Sequence, residues 1–456
     1  MSEQPSSAPC AGPEQHSHLL LYPQEKKFMC RLDLPEIAQY STHLRLWLVN
    51  LSYLKALYGP QFHAFVLDTV QQRLLDCGLN TDEILIQGDF VLIALKQLSK
   101  QNRFERTHPN ALAQLLGAAL ECDPITQDEH RIYLHTQMAY HYDSRQYDTD
   151  LLHPPTPNPC SHTHPATLAA WHKVWAKTYR DDMSLAVRML DDLQTGMLVL
   201  AFQPLFHLSE HHKSKDFYEE ALIRHSSGTD YSLPEAIAAL ERLGLISRLD
   251  RSVLGSVVKL LSTQTTLCLG ANLSAGSLQD DLWWQDLFSY LDSRPDVAQR
   301  LILEVTETGT IAHKPTALRL IAQLQNLGVR IALDDTGSGN STLAFLAQTH
   351  ADIIKIDRSI LLRARSPGQP AHLLRNLVNV CADYCPYVVI EGVEDETDLE
   401  LVRQSGAHGV QGYLLALPTL TPSWWDSPAL ITVQDAVLVR TQFYPGHVPQ
   451  GYGFGF

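Results

Sequence analysis

The hydrophobic pattern changes character along the chain. From residue 198 onward, short apolar runs alternate with stretches whose apolar positions recur every three to four residues, as expected of strands alternating with amphipathic helices. The runs are Leu198–Leu205, Tyr218–Arg224, Thr266–Leu273, Arg300–Val305, Arg330–Leu333, Asp352–Ile356, Tyr387–Ile390 and Gly409–Leu415. Pro234 opens a helix over Glu235–Arg242 ahead of Gly244, and Pro315 opens one over Thr316–Asn326 ahead of Gly328, the Pro-first, Gly-last order that helix ends favour. Eight strands in about 220 residues predict a closed β/α barrel rather than an open sheet. Only the polar segment His207–Asp216 joins the first two runs. It is too short for a crossover helix, so those strands should pair antiparallel and leave the barrel irregular at its first strand.

The front of the chain is mixed α/β material. Arg45–Leu51 reads as a strand, Phe62–Cys77 as a helix with apolar residues at 62, 65, 66, 70 and 74, and Glu83–Leu95 as two strands joined by a turn at Gln87–Asp89. The Pro-rich stretch His153–Pro165 fits no regular element and marks the clearest boundary. After it, Ala166–Leu193 reads as a helix, either packed on its own domain or serving between domains as a coupling or dimer-forming helix. The expected organisation is a flexible arm (1–27), a smaller α/β domain (28–152), a linker with connecting helix (153–180), the barrel (181–421) and a C-terminal tail (422–456) whose aromatic, Gly-rich end begins near Gln442.

Charge narrows the function. Lys and Arg total 35 against 50 Asp and Glu, a net charge of −15, which argues against a protein that coats duplex nucleic acid. A small anionic substrate is compatible with this balance if metal ions screen it. The densest apolar stretch, Met197–Phe206, contains Gln and Pro and is too short to span a membrane, and the polar N-terminus lacks the core of a signal peptide. Eight cysteines without framework spacing fit a soluble, cytoplasmic protein. The pair Cys381 and Cys385 reads as packing, and the His16/His18 and His162/His164 pairs fall in segments with no regular pattern.

The barrel strands carry unusual residues near their ends. Glu220 lies in the second strand, Asn272 and Glu304 close the third and fourth, Asp334 and Asp335 follow the fifth, Lys355 lies in the sixth, Glu391 and Glu394 follow the seventh, and Gln411 lies in the eighth. The C-terminal ends of barrel strands converge on one mouth, and charges inside apolar strands are costly unless paired or bound to metal. Oxygen donors with no Cys or His among them favour Mg²⁺ or Mn²⁺ over zinc, and adjacent aspartates can clamp two ions about 4 Å apart.

Together with Phe202-Gln203-Pro204-Leu205, Glu220-Ala221-Leu222-Ile223-Arg224, Asn272-Leu273-Ser274, Glu304-Val305-Thr306-Glu307, Lys355-Ile356-Asp357, Glu391-Gly392-Val393-Glu394 and Gln411-Gly412-Tyr413, in this order, the barrel resembles the EAL family of cyclic di-GMP phosphodiesterases. The resemblance implies an EAL-type (β/α)8 TIM-like barrel with an antiparallel first strand. It implies hydrolysis of cyclic di-GMP to linear pGpG with two Mg²⁺ or Mn²⁺ ions. Glu220, Asn272, Glu304 and Asp334 would hold one ion, Asp334 would bridge to a second at Asp335, and Glu391 would support that second ion and its water. Lys355 would orient the attacking water, with Gln411 nearby, and Glu394 would hold the loop after the fifth strand. Gln203, Leu222, Arg224, Gln411 and Pro418 would contact the substrate. A homodimer through the EAL domain is also implied.

The chain departs from the family pattern at three places: Thr336 stands where Phe is usual, His225 where Trp is common, and the segment Leu415-Ala416-Leu417 replaces an aromatic and a cation near the ligand rim. A receptor that binds cyclic di-GMP without cleaving it is therefore the alternative reading. The front domain resembles a degenerate GGDEF domain through Leu46–Lys55 and Ile86–Ile93, with Asn50 and Ser52 at the usual metal-binding acid positions and the signature turn reduced to Gln87-Gly88-Asp89-Phe90. Cyclase chemistry needs acids that hold metal on GTP phosphates, so a regulatory role, with or without GTP binding, is expected instead.

Overall fold

The computed structural model describes residues 43–94, 116–141, 168–208, 216–279, 282–306, 314–337, 343–366 and 372–434. The expected N-terminal arm, the Pro-rich linker and the aromatic tail end lie outside the described residues. In front, β1 (His43–Leu48), β2 (Ile84–Gln87), β3 (Phe90–Ala94) and β6 (Thr136–His141) form an antiparallel sheet in the order β2-β3-β1-β6, and β4 (Ile125–Gln127) with β5 (His130–Ile132) makes a small hairpin. The expected turn between β2 and β3 is present. The first strand is shorter than its apolar run, because Leu51 already belongs to α1 (Leu51–Asp76). That helix begins well before Phe62 and kinks where Gly59 takes φ 86° and Pro60 follows without an N–H to continue the ladder.

Strands β7 (Leu198–His207), β8 (Asp216–His225), β9 (Leu269–Ser274), β10 (Leu301–Thr306), β11 (Arg330–Thr336), β12 (Ile353–Ile356), β13 (Tyr387–Ile390) and β14 (Gly409–Val410) close into a barrel. β7 runs antiparallel to β8 and to β14, and the remaining neighbours are parallel, the irregularity expected from the short first connection.

Four strand ends that carry candidate residues differ from the sequence pattern. Asn272 and Glu304 lie two residues inside their strands rather than closing them. Asp334 and Asp335 lie within β11 rather than after it. The last strand ends at Val410 instead of Leu415, so Gln411 sits on the turn just past it. Gly412 causes this early exit: it is pressed so closely on the Val393 backbone that a Cβ would collide, and its carbonyl accepts from Leu415 and Ala416 N at 3.1 Å, a helical turn in place of an extended run.

α2 (Leu168–Gln194) leads into the barrel with Met183, Ala186, Val187, Leu190 and Leu193 buried in the core. The same helix faces the front domain. Arg131 pairs with Asp191 at 2.8 Å, and Gln194 Nε2 donates to the Cys122 carbonyl. From α4 (Ile246–Thr263), Arg248 donates to the carbonyls of Glu121 and Cys122 at 2.9 and 3.0 Å. The His135 ring covers Gly244, the left-handed C-cap of α3 (Leu233–Leu243), where a Cβ would lie 2.5 Å from it. Buried apolar residues run without interruption from the front sheet into the barrel wall. Beyond the last strand the chain still packs on the barrel, with Thr419 bridging Phe202, Thr432 bridging Val199, and Ile431 and Val433 buried. No described helix is long and apolar enough to cross a membrane.

Candidate active site

At the mouth formed by the C-terminal ends of the parallel strands stands Lys355, fully buried in β12. Its Nζ lies 3.3 Å from Glu220 Oε2, 3.4 Å from Asp334 Oδ1 and 2.6 Å from Glu391 Oε1, and it also pairs with Glu304. One cation thus faces four carboxylates delivered by β8, β10, β11 and the turn after β13. Amides fill out the cluster. Asn272 Nδ2 donates to Glu220 Oε1 at 2.8 Å, Gln411 Nε2 donates to Glu220 Oε2 at 2.8 Å and to Gln203 Oε1 at 3.3 Å, and Gln203 Nε2 donates to the Ala416 carbonyl at 3.0 Å.

Barrel stagger brings these groups together across unequal registers. Glu220 is level with Gly270, while Asn272 is level with Glu304. Gly270 is required here: a Cβ would collide with Glu304 Oε1 and press on the Tyr218 ring. A lone glycine in an apolar strand is a sequence signal of such close approach. Tyr218 itself, two residues before Glu220 on the same face of β8, lies buried beneath the carboxylates and escaped the sequence reading.

Successive residues of a regular strand point to opposite faces, so Asp334 and Asp335 could not both serve one site from an ideal β11. The strand solves this with a bulge. Its register against β12 shifts between Leu333 and Thr336, and Asp335 takes a left-handed φ of 54°. Single carboxylate oxygens of Asp334, Asp335 and Glu391 then lie within 4.8 Å of one another, as do those of Glu220, Glu304 and Asp334. Asp334 is common to both groups, and its Oδ1 also accepts from Asp335 N at 2.9 Å.

The proton affinities follow from this crowding. Burial, and then the neighbouring Glu220 charge, pushes Glu304 up to about 8. Burial and then Asp334 raise Glu391 well above the usual range, and the same two causes lift Asp335 to about 6. Asp334 is also raised by burial, although Lys355 opposes the shift. Burial acts against ionised Glu220 too, but Lys355 and the amides of Gln411 and Asn272 outweigh it and hold this carboxyl below its usual value. For Lys355, burial opposes the charge, and the four surrounding carboxylates win and keep it an ammonium. One lysine leaves the cluster short of positive charge, and Glu304 Oε1 is buried with no hydrogen-bond partner. An all-oxygen donor set with an orphaned acceptor fits hard divalent cations.

The other residues singled out in the sequence lie around this centre or beside it. Leu222 and Arg224 continue the Glu220 face of β8 toward the mouth, half-buried, with Arg224 Nη1 donating to the Ile223 carbonyl at 2.8 Å. Pro418 is half-buried next to Thr419, which pairs with Phe202. Glu394 pairs with Arg358, and most of the loop after β11 that it was expected to hold lies outside the described residues. Thr336 ends β11 with its hydroxyl buried and without a partner. Cys381 and Cys385 are buried free thiols pushed up to about 11 by burial, a packing role.

These features define a β/α barrel whose mouth is an acidic, divalent-cation-type centre built around a buried lysine. The EAL domain family matches residues 186–418, half of the chain, and the chain belongs to that family. It is 26% identical over 249 residues to the cyclic di-GMP phosphodiesterase PdeB of Shewanella oneidensis, an alignment covering 53% of this chain and 29% of that protein. It is 28% identical over 187 residues to the cyclic di-GMP phosphodiesterase PdeL of Escherichia coli, covering 40% and 52%. With PdeB and two further relatives, the alignments span only 29%, 31% and 36% of the relatives' lengths. Among solved structures it is similar to a PaMucR phosphodiesterase in complex with c-di-GMP, at 27% identity and a TM-score of 0.43, covering 49% of this chain and 97% of that one. It is also similar to the FimX EAL domain from Pseudomonas aeruginosa bound to c-di-GMP, at 24% identity and a TM-score of 0.43.

Proposed function

We propose that this chain is a cyclic di-GMP phosphodiesterase that opens the ring to linear pGpG. The observation that carries this reading is Lys355 held among Glu220, Glu304, Asp334 and Glu391, with Asp334 shared by two sets of converging carboxylates. Glu220, Asn272, Glu304 and Asp334 would hold one Mg²⁺ or Mn²⁺, and Asp334, Asp335 and Glu391 a second. Bound there, the ions would neutralise phosphate charge and acidify water. In the reaction, water adds to phosphorus, the bond to the 3′-oxygen breaks, and the leaving oxygen gains a proton. The Lys355 ammonium donates hydrogen bonds only, so its role is to orient the water and stabilise negative charge on the phosphate. Glu391 and Gln411 flank that position. Gln203, Leu222, Arg224 and Pro418 line the substrate side, with the Arg224 guanidinium suited to a phosphate or a guanine edge.

Residues 28–152 act in this reading as a degenerate GGDEF-like regulatory domain without cyclase chemistry. Support comes from Asn50, whose amide is engaged by Tyr133 and His135, and from Ser52, which donates to Asp89 at 2.6 Å. GTP binding at that domain and a homodimer through the barrel belong to the same proposal.

The test is chromatography of the full-length protein incubated with cyclic di-GMP and Mg²⁺ or Mn²⁺. The expected product is pGpG, and Ca²⁺, with its longer bonds and looser geometry, should suppress it. Tight ligand binding with no pGpG after long incubation would replace the enzyme with a receptor.

A further inference from the structure

The turn Glu391–Glu394 delivers one carboxylate to the cluster, yet it belongs to no strand or helix, so something else must fix its shape. It is squeezed from two sides. On one side Gly412 abuts the Val393 backbone, with Val393 N donating to the Gln411 carbonyl at 3.1 Å and Leu414 N to the Val393 carbonyl at 3.1 Å. On the other side lies Arg358, the first residue of α5 (Arg358–Arg365), three positions after Lys355. Its stem crosses Gly392, which takes a φ of 71°, so closely that a Cβ there would sit 2.5–2.6 Å from three Arg358 side-chain carbons. Its guanidinium then pairs with Glu394. Two turns further along the same helix, Arg365 holds Asp395 at 2.9 Å and Asp398 at 2.7 Å, and Asp398 in turn accepts from Glu394 N at 3.1 Å.

An ion pair this exposed, 44% for Arg358 and 41% for Glu394, contributes little as Coulomb attraction. Its value lies in geometry. The aliphatic stem acts as a bar across a backbone that only glycine permits, and the fork at its end anchors the far side of the turn. We propose that Arg358 is a positioning residue that, through Gly392 and Glu394, holds the Glu391 carboxylate at Lys355 and in the group it forms with Asp334 and Asp335. This rests on the phosphodiesterase reading for its catalytic consequence, but its structural core is metal affinity, which is measured without turnover.

The experiment uses full-length protein and three variants, Arg358→Ala, Arg358→Gln and Arg358→Lys. Mn²⁺ binding is titrated by calorimetry, and the kcat and KM for cyclic di-GMP are measured in parallel. Outer residues that orient metal ligands typically control affinity by about 10–100-fold. Arg358→Ala should therefore weaken Mn²⁺ binding by about tenfold or more and lower kcat to a similar degree, with KM within about threefold of wild type. Arg358→Lys, which keeps both the stem over Gly392 and a cation for Glu394, should recover much of the loss, while Arg358→Gln, which keeps the three crossing carbons but offers Glu394 no cation, should not. If Arg358→Ala or, should it fail to fold, Arg358→Gln binds Mn²⁺ within twofold of wild type, the inference is overturned, whatever happens to melting temperature. If wild type itself makes no pGpG, the phosphodiesterase reading fails while the Mn²⁺ titration still decides the role of Arg358.

Discussion

Asn50, just past β1, donates to the Tyr133 carbonyl at 2.9 Å and accepts from His135 N at 3.1 Å, whereas Lys355, in β12, meets only carboxylates that themselves face one another. Both side chains are buried, and both sit where a strand of their sheet ends. The front sheet has turned its polar group into a staple between β1 and the 133–135 segment, satisfied by backbone. The barrel has left its polar groups dependent on one another, with four acids sharing one ammonium and one acceptor unpaired. A group satisfied by backbone contributes to stability and offers nothing to a ligand. A cluster short of positive charge is poised to bind cations, which is why burial and repulsion raise the proton affinity of four of its five carboxyls.

That contrast can be broken most sharply at Glu220. Glu220→Ala should lower pGpG production by at least about a thousandfold, because it removes the acceptor that Asn272, Gln411 and Lys355 all address. Near-normal turnover would remove the barrel's claim to a metal centre. Next in size is Lys355→Ala, assayed for stability in chelator at pH 8. Deleting the cation that faces three buried carboxylates and the half-buried Glu391 should cost about 3–5 kcal/mol, recovered in part when the pH is lowered and the acids protonate, as denaturant titration would report.

In the front sheet the matching change is Asn50→Asp, which, under the proposed GGDEF-like reading, puts an acid where cyclase chemistry would want one. A carboxylate there opposes the Tyr133 carbonyl, so the expected result is a loss of about 1–3 kcal/mol in stability and no cyclic di-GMP from GTP. Gain of cyclase activity would erase the distinction between the two sheets.

The smallest expected effect is a pH dependence. Burial pushes Glu304 up to about 8 and Asp335 up to about 6, so a cation must displace a proton from Glu304 up to about pH 8 and one from Asp335 only up to about pH 6. Mn²⁺ affinity should therefore rise with pH from about 6 to 8, by up to about tenfold per unit for each proton released, and calorimetry in buffers of different ionisation enthalpy should detect that release. An affinity flat across this range would mean that the metal-free carboxylates are already ionised.

Much of this was legible in one dimension. Strand and helix alternation is a local property of side-chain periodicity, and the short His207–Asp216 connection forced the antiparallel first pair before any contact was known. Residue types at the mouth were legible too, since an acid, amide or lysine inside an apolar run has to be explained by a partner. Tertiary structure decided how those residues meet. The β11 bulge, set by pairing against β12, lets two consecutive aspartates serve one centre, and barrel stagger lets Glu220 reach Asn272 across unequal registers. The last strand stops at Val410 because Gly412 packs on Val393, a contact between segments some twenty residues apart. Asn50 looked like a lost metal ligand, and its actual role depended on a chain segment more than eighty residues away. Periodicity is written in neighbouring residues, whereas register, bulges and the pairing of buried charges arise only when distant segments close on one another.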